Sequence, residues 1–109
     1  MQTKSLYKAT TPTFQFKFPD TVDFTQASSI YVTFSDDKEK KLLEKTGADL
    51  SVDANVIEVF LTQQETLSFP TGSVIVQVNW TYQEGTVTKR PASTKARIDF
   101  KKNLKNEVI

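Results

Sequence analysis

The chain has 109 residues, 38% of them hydrophobic and 25% charged, and a formal net charge of +1; this balance excludes a disordered polyelectrolyte and leaves room for one domain with one core. It contains no histidine and no cysteine, which removes Ser-His-Asp and Cys-His nucleophiles, thiol redox chemistry, disulfides and the usual zinc sites. Its three glycines, Gly47, Gly72 and Gly85, are too few and too scattered for a phosphate-cradling loop or a dinucleotide fingerprint.

Phe14, Phe16 and Phe18 alternate with Gln15 and Lys17 between Pro12 and Pro19, the period-2 pattern of a half-buried first strand. Residues 19–28 read as a connection with one helical turn at Asp23 to Ala27. A second strand follows where Ile30, Val32 and Phe34 alternate with Tyr31, Thr33 and Ser35. Asp36, Asp37 and Lys38 supply a turn, and residues 39–45 are read as a third strand that completes a hairpin, although Leu42 and Leu43 fit neither period cleanly. Residues 55–61 form the fourth strand, with Ile57, Val59 and Leu61 on one face and Phe60 on the other, where it is partly exposed or covered by a partner.

Thr62 to Glu65, TQQE, is a capping box and predicts a single helical turn, anchored by burial of Leu67 or Phe69. The longest strand is expected over residues 73–82, with Val74, Val76, Val78, Trp80 and Tyr82 on one face. Trp80 is the foremost core candidate. A turn at Glu84-Gly85 leads into a short strand at 86–89, which Pro91 interrupts because it cannot donate to a ladder. The last strand runs over 94–100, with Ala96, Ile98 and Phe100 inward. Seven strands result, and their spacing suits an all-β, immunoglobulin-like antiparallel β-sandwich over residues 1–109, with residues 1–11 and 102–109 as mobile or partner-docked ends.

From Lys89 onward seven basic residues face only Asp99 and Glu107. The first reading of this end is a solvated strand face and polar tail; the second is an electrostatic footprint for nucleic acid. Asp20, Asp23, Asp36, Asp37, Asp49 and Asp53 are oxygen donors of the kind calcium takes, but their spacing matches no EF-hand and turns favour aspartate. Tyr7, Tyr31 and Tyr82 with Phe60 are candidates for a sugar-stacking or protein-binding patch, against ordinary cross-strand packing. Asn79-Trp80-Thr81 matches the glycosylation sequon by chance, mid-strand, in a chain where Met1 to Ala9 lacks the apolar core of a secretory signal. No carboxylate pair is placed as a glycosidase needs. No catalytic, cofactor or metal residues are therefore assigned.

The run from Leu61 to Trp80, LTQQETLSFPTGSVIVQVNW, with the Gln83-Glu84-Gly85 turn and the basic closing strand, resembles small proteins from tail-gene regions of phages and prophages of Gram-positive bacteria. It is similar as well to the N-terminal immunoglobulin-like domain of phage upper-baseplate receptor-binding-protein scaffolds. The phenylalanine strand at 14–18, the IYVTFSDD segment and the Glu107-Val108-Ile109 ending fit the same pattern. The resemblance implies a non-enzymatic structural or interaction module of a tail or baseplate, with tail proteins or further copies of itself as partners, in the virion or in the host cytoplasm during assembly. The chain stops without the downstream domains of the larger scaffolds, which puts receptor contact in doubt. The alternative is a carbohydrate or cell-wall binding module that uses loops at one end of the sandwich. Apolar residues beyond the last strand gain nothing from solvent, so Leu104, Val108 and Ile109 join Phe60 as interaction candidates.

Overall fold

The computed structural model describes residues 3–91, 93 and 95–109, and among them nine strands form two sheets. In chain order these are β1 (Thr3–Tyr7), β2 (Thr13–Lys17), β3 (Ser29–Ser35), β4 (Lys41–Thr46), β5 (Leu50–Asp53), β6 (Val56–Phe60), β7 (Gly72–Glu84), β8 (Val87–Lys89) and β9 (Lys95–Lys101). One sheet has the order β1-β9-β7-β3-β4, with β8 hydrogen-bonded to the far end of β7; the other is β2-β6-β5. With β3, β7 and β9 side by side, β4 beyond, and β2, β6 and β5 opposite, this is the strand order of an immunoglobulin sandwich of variable type. Phe14 of β2 and Val76 and Val78 of β7 share one apolar core between the sheets.

Alternation decides which side chains enter that core. Phe14, Val32, Phe34, Ile57, Val59, Val74, Val76, Val78, Trp80, Ile98 and Phe100 are buried between the sheets, while Phe16 and Ile30, expected to be buried, pack against the core half-covered. Aromatic rings fill its two ends. Phe18, Phe24 and Trp80 meet edge-to-face at centroid distances of 4.9 to 5.3 Å, and Phe69 contacts Phe34 and Phe100 at 5.7 and 5.3 Å. These offset and edge geometries suit the ring quadrupoles.

The capping box forms as its sequence predicts: Glu65 N–H donates to Thr62 Oγ1 at 3.2 Å and Thr62 N–H donates to Glu65 Oε1 at 2.8 Å, opening α1 (Gln63–Ser68). Phe69, not Leu67, is the buried anchor. Thr66 is also buried, and its hydroxyl donates to Thr10 O at 2.8 Å while accepting from Thr10 N–H at 3.0 Å. That pair ties the β1–β2 connection to α1. The turn expected near residues 23–27 is a single 3-10 turn at Phe24–Gln26, capped by Asp23.

The structure adds two strands to the seven expected. Residues 3–7, expected to lie outside the folded core, instead make β1, which pairs in parallel with β9 from Thr3↔Arg97 to Tyr7↔Lys101, so the larger sheet is mixed and not purely antiparallel. Residues 50–53 make β5, antiparallel to β6. The final strand was expected to begin at Thr94, which lies outside the described residues; β9 begins at Lys95.

Candidate interaction surface

One end of the sandwich collects the termini of several elements. β1, β6 and β9 finish there and β2 and β7 begin there, as the pairs Tyr7↔Lys101, Thr13↔Phe60 and Gly72↔Phe100 require. The 8–12 connection, α1 and the segment after Lys101 lie at this end too, joined by Lys8 N–H to Lys101 O at 2.9 Å, Leu61 N–H to Pro12 O at 3.0 Å and Asn103 Nδ2 to Lys8 O at 3.1 Å.

Among the described residues seven large apolar side chains are exposed: Tyr7, Tyr31, Phe60, Val87, Leu104, Val108 and Ile109. Five of them, all but Tyr31 and Val87, belong to this one end. Leu104 is fully exposed, Ile109 is 82% exposed, and Tyr7, Phe60 and Val108 are about half exposed. Exposed apolar residues scattered singly need no explanation; these five sit on elements that meet at the same end of the sandwich, with Phe60 on the smaller sheet beside Thr13, Leu50, Ser51 and Glu58 and Tyr7 on the larger.

The chain end is held in an unusual way. The Gln63 side-chain amide both accepts from Ile109 N–H at 2.8 Å and donates to Ile109 O at 3.0 Å, copying the two bonds that a neighbouring strand would make. The clamp fixes the backbone and leaves the Val108 and Ile109 side chains outward. Lys105, which also ion-pairs with Glu107, donates its backbone N–H to Asn103 Oδ1 at 3.1 Å, shaping the bend before Leu104 is presented. The four candidates named from sequence, Phe60, Leu104, Val108 and Ile109, thus share an end, and Tyr7 joins them. The sequence set Tyr7 beside Phe60 only within an aromatic group that also held Tyr31 and Tyr82; the β1–β9 pairing is what brings it to this end.

Electrostatics at α1 support its position. Lys45 Nζ and Glu65 Oε2 are 2.7 Å apart with both side chains largely covered. Burial alone raises the Glu65 pKa, but the Lys45 ammonium and the Thr62 N–H outweigh it, and the carboxyl lies below its ordinary value of 4.5.

The other sites considered from sequence are dispersed. Asp23 Oδ1 accepts from Thr25 N–H at 3.0 Å, Asp36 Oδ1 accepts from Lys38 and Lys40 N–H at 2.9 Å each, and Asp49 Oδ2 accepts from Thr46 N–H at 3.4 Å. Each aspartate organises a separate turn, and no group of three or more acidic ligands gathers among the described residues. Tyr7, Tyr31, Tyr82 and Phe60 do not form one patch. Tyr31 instead borders a cleft of about 310 Å³ with Thr33, Glu44, Asn79, Thr81 and Arg90, in which Arg90 donates to Asn79 Oδ1 at 3.1 Å and Thr33 donates to Glu44 Oε1 at 3.0 Å. The basic residues of β9 point outward, and Lys95 is ion-paired with Glu39 of the β3–β4 turn. No helix among the described residues is long and apolar enough to cross a membrane.

No protein-family model matches the chain, and comparison with curated proteins returns no match.

Proposed function

We propose that this chain is a non-enzymatic interaction module that works by docking the end of the sandwich bearing Tyr7, Phe60, Leu104, Val108 and Ile109 against neighbouring proteins. The observation that carries the reading is that five of the seven exposed large apolar residues share that end, with the last of them fixed through its backbone by Gln63. A side chain of this class contributes about 1.5 to 3 kcal/mol when fully buried against a partner, so two or three well-covered anchors supply the centre of a specific interface. The sequence resemblance to phage tail and baseplate modules names the setting: a tail or baseplate protein, or an assembly factor for one, whose partners are other tail proteins or further copies of this chain. Phe60→Ser and Leu104→Ser tested against the products of adjacent genes by calorimetry should weaken binding about tenfold or more each while leaving the thermal midpoint within a few degrees. Parent-like affinity in both would refute this reading.

A second reading, carbohydrate binding, is favoured by one observation. The Tyr31 cleft sets an aromatic face beside a carboxylate, an amide and a guanidinium, the mixture of stacking and polar groups that sugars use. It lies on a sheet face, not among end loops. Binding to cell-wall glycans that is lost in Tyr31→Ala and kept in Phe60→Ser would favour it over docking.

A further inference from the structure

We propose that the free edge of β2 is a strand-acceptor site, taking an extended segment of a partner protein that has apolar side chains at alternate positions and a carboxylate opposite Lys17. Leu61 N–H bonds Pro12 O at 3.0 Å and Phe18 N–H bonds Asn55 O at 2.9 Å at the two ends of the β2–β6 ladder. In an antiparallel ladder bonded pairs alternate, so the peptide groups of Phe14 and Phe16 face β6 and those of Thr13, Gln15 and Lys17 face away. Among the described residues β2 pairs with β6 alone. Three N–H and three C=O groups therefore form an unused ladder about 17 Å long, five residues at about 3.4 Å each.

This edge differs from the others because it borders a groove. A space of about 900 Å³ separates it from β7 and the start of β9, with Phe16, Phe18, Val76, Val78 and Ala96 among its walls and Lys17 and Lys95 at its margin. Among the described residues the β7–β9 ladder runs to Gln77↔Lys95, and β7 pairs with β8 from Tyr82↔Lys89 to Glu84↔Val87. An added strand would extend the three-stranded sheet, cover the half-buried Phe16 and Phe18, and leave backbone bonding to give affinity and alternate side chains to give specificity.

Charge selects the occupant. Lys95 already pairs with Glu39, while Lys17 is exposed and has no ion pair among the described residues. A second copy meeting this edge about a two-fold axis through Gln15 would set Lys17 against Thr13, which carries no charge. A foreign strand with a carboxylate at that position fits better. Only Thr13 of this edge borders the docking end, through its pairing with Phe60; Gln15 and Lys17, on which the variants of the test are made, lie further along β2.

The probe is a blocked eight-residue peptide of alternating valine and threonine with one central-flank glutamate, titrated into the full, isotopically labelled chain by NMR. Shifts and slowed exchange should centre on the Thr13, Gln15 and Lys17 amides. Gln15→Pro removes an N–H that the β2–β6 ladder does not use, as an edge strand tolerates, and should weaken binding at least tenfold. Should that variant fail to give a folded spectrum, a charge swap decides: Lys17→Glu should bind the lysine form of the peptide several-fold better than the glutamate form. Shifts confined to other surfaces, a folded Gln15→Pro with unchanged affinity, no charge-swap preference, or peptide-independent dimerisation through the same amides would each overturn the proposal.

Discussion

Glu65 shows how one residue joins local and tertiary structure. It closes the capping box of α1 with Thr62 and ion-pairs with Lys45 of β4, so a six-residue helix too short to persist alone is fixed between two sheets. Its folded pKa lies below 4.5, so the unfolded chain takes up a proton first as acid is added. This contribution to stability is complete above about pH 4.5 and is lost as pH falls through the lowered folded value. Glu65→Gln keeps a side chain that fits the box but removes the charge. Urea midpoints should show a loss of up to about 1 kcal/mol at pH 7 and a difference from the parent that shrinks as pH falls below 4.5.

At the scale of elements, what sequence conveys depends on how many alternating apolar residues an element carries. β3, β6, β7 and β9 each bury two or more side chains at period 2, β2 sets a buried Phe14 two residues from a half-buried Phe16, and α1 announces itself by Thr62 and Glu65. β1 has only Leu6 packed against the core and β5 only Leu50 and Val52, too few to rise above a polar loop before pairing is known. The candidate surface was legible for the same reason in part: apolar residues after the last strand stand out, but their convergence with Tyr7 depends on the parallel β1–β9 pairing. Turns carry a cost that strand patterns hide. Ala54, between β5 and β6, sits at φ 51° while its carbonyl accepts from Phe24 N–H at 2.8 Å, and a left-handed non-glycine residue costs roughly 1–2 kcal/mol. Ala54→Gly should relieve part of this and raise stability by about 0.5 to 1 kcal/mol, after the entropic penalty of glycine; chemical denaturation with an unchanged slope would register it.

The whole molecule is an elongated sandwich, 52 Å along its longest axis, held without disulfides by a core with an aromatic cluster at each end. Trp80 is 7% exposed and contacts both Phe18 and Phe24. Trp80→Ala should therefore cost about 3 to 5 kcal/mol, a large share of the 5 to 15 kcal/mol typical of a small domain, and thermal unfolding would show the midpoint fall accordingly. A core sealed in this way lets the docking end be altered with little effect on the rest.

Deleting Asn106 to Ile109 tests the docking account most directly. The deletion removes the exposed Val108 and Ile109 side chains and the Gln63 clamp but no buried residue, so the near-ultraviolet spectrum and thermal midpoint should stay close to those of the intact chain. Sedimentation of both forms, alone and mixed with the products of adjacent genes, should show association weakened about tenfold or more in the truncated form. Identical association of the two folded forms would contradict the claim that this end of the sandwich is where the protein binds.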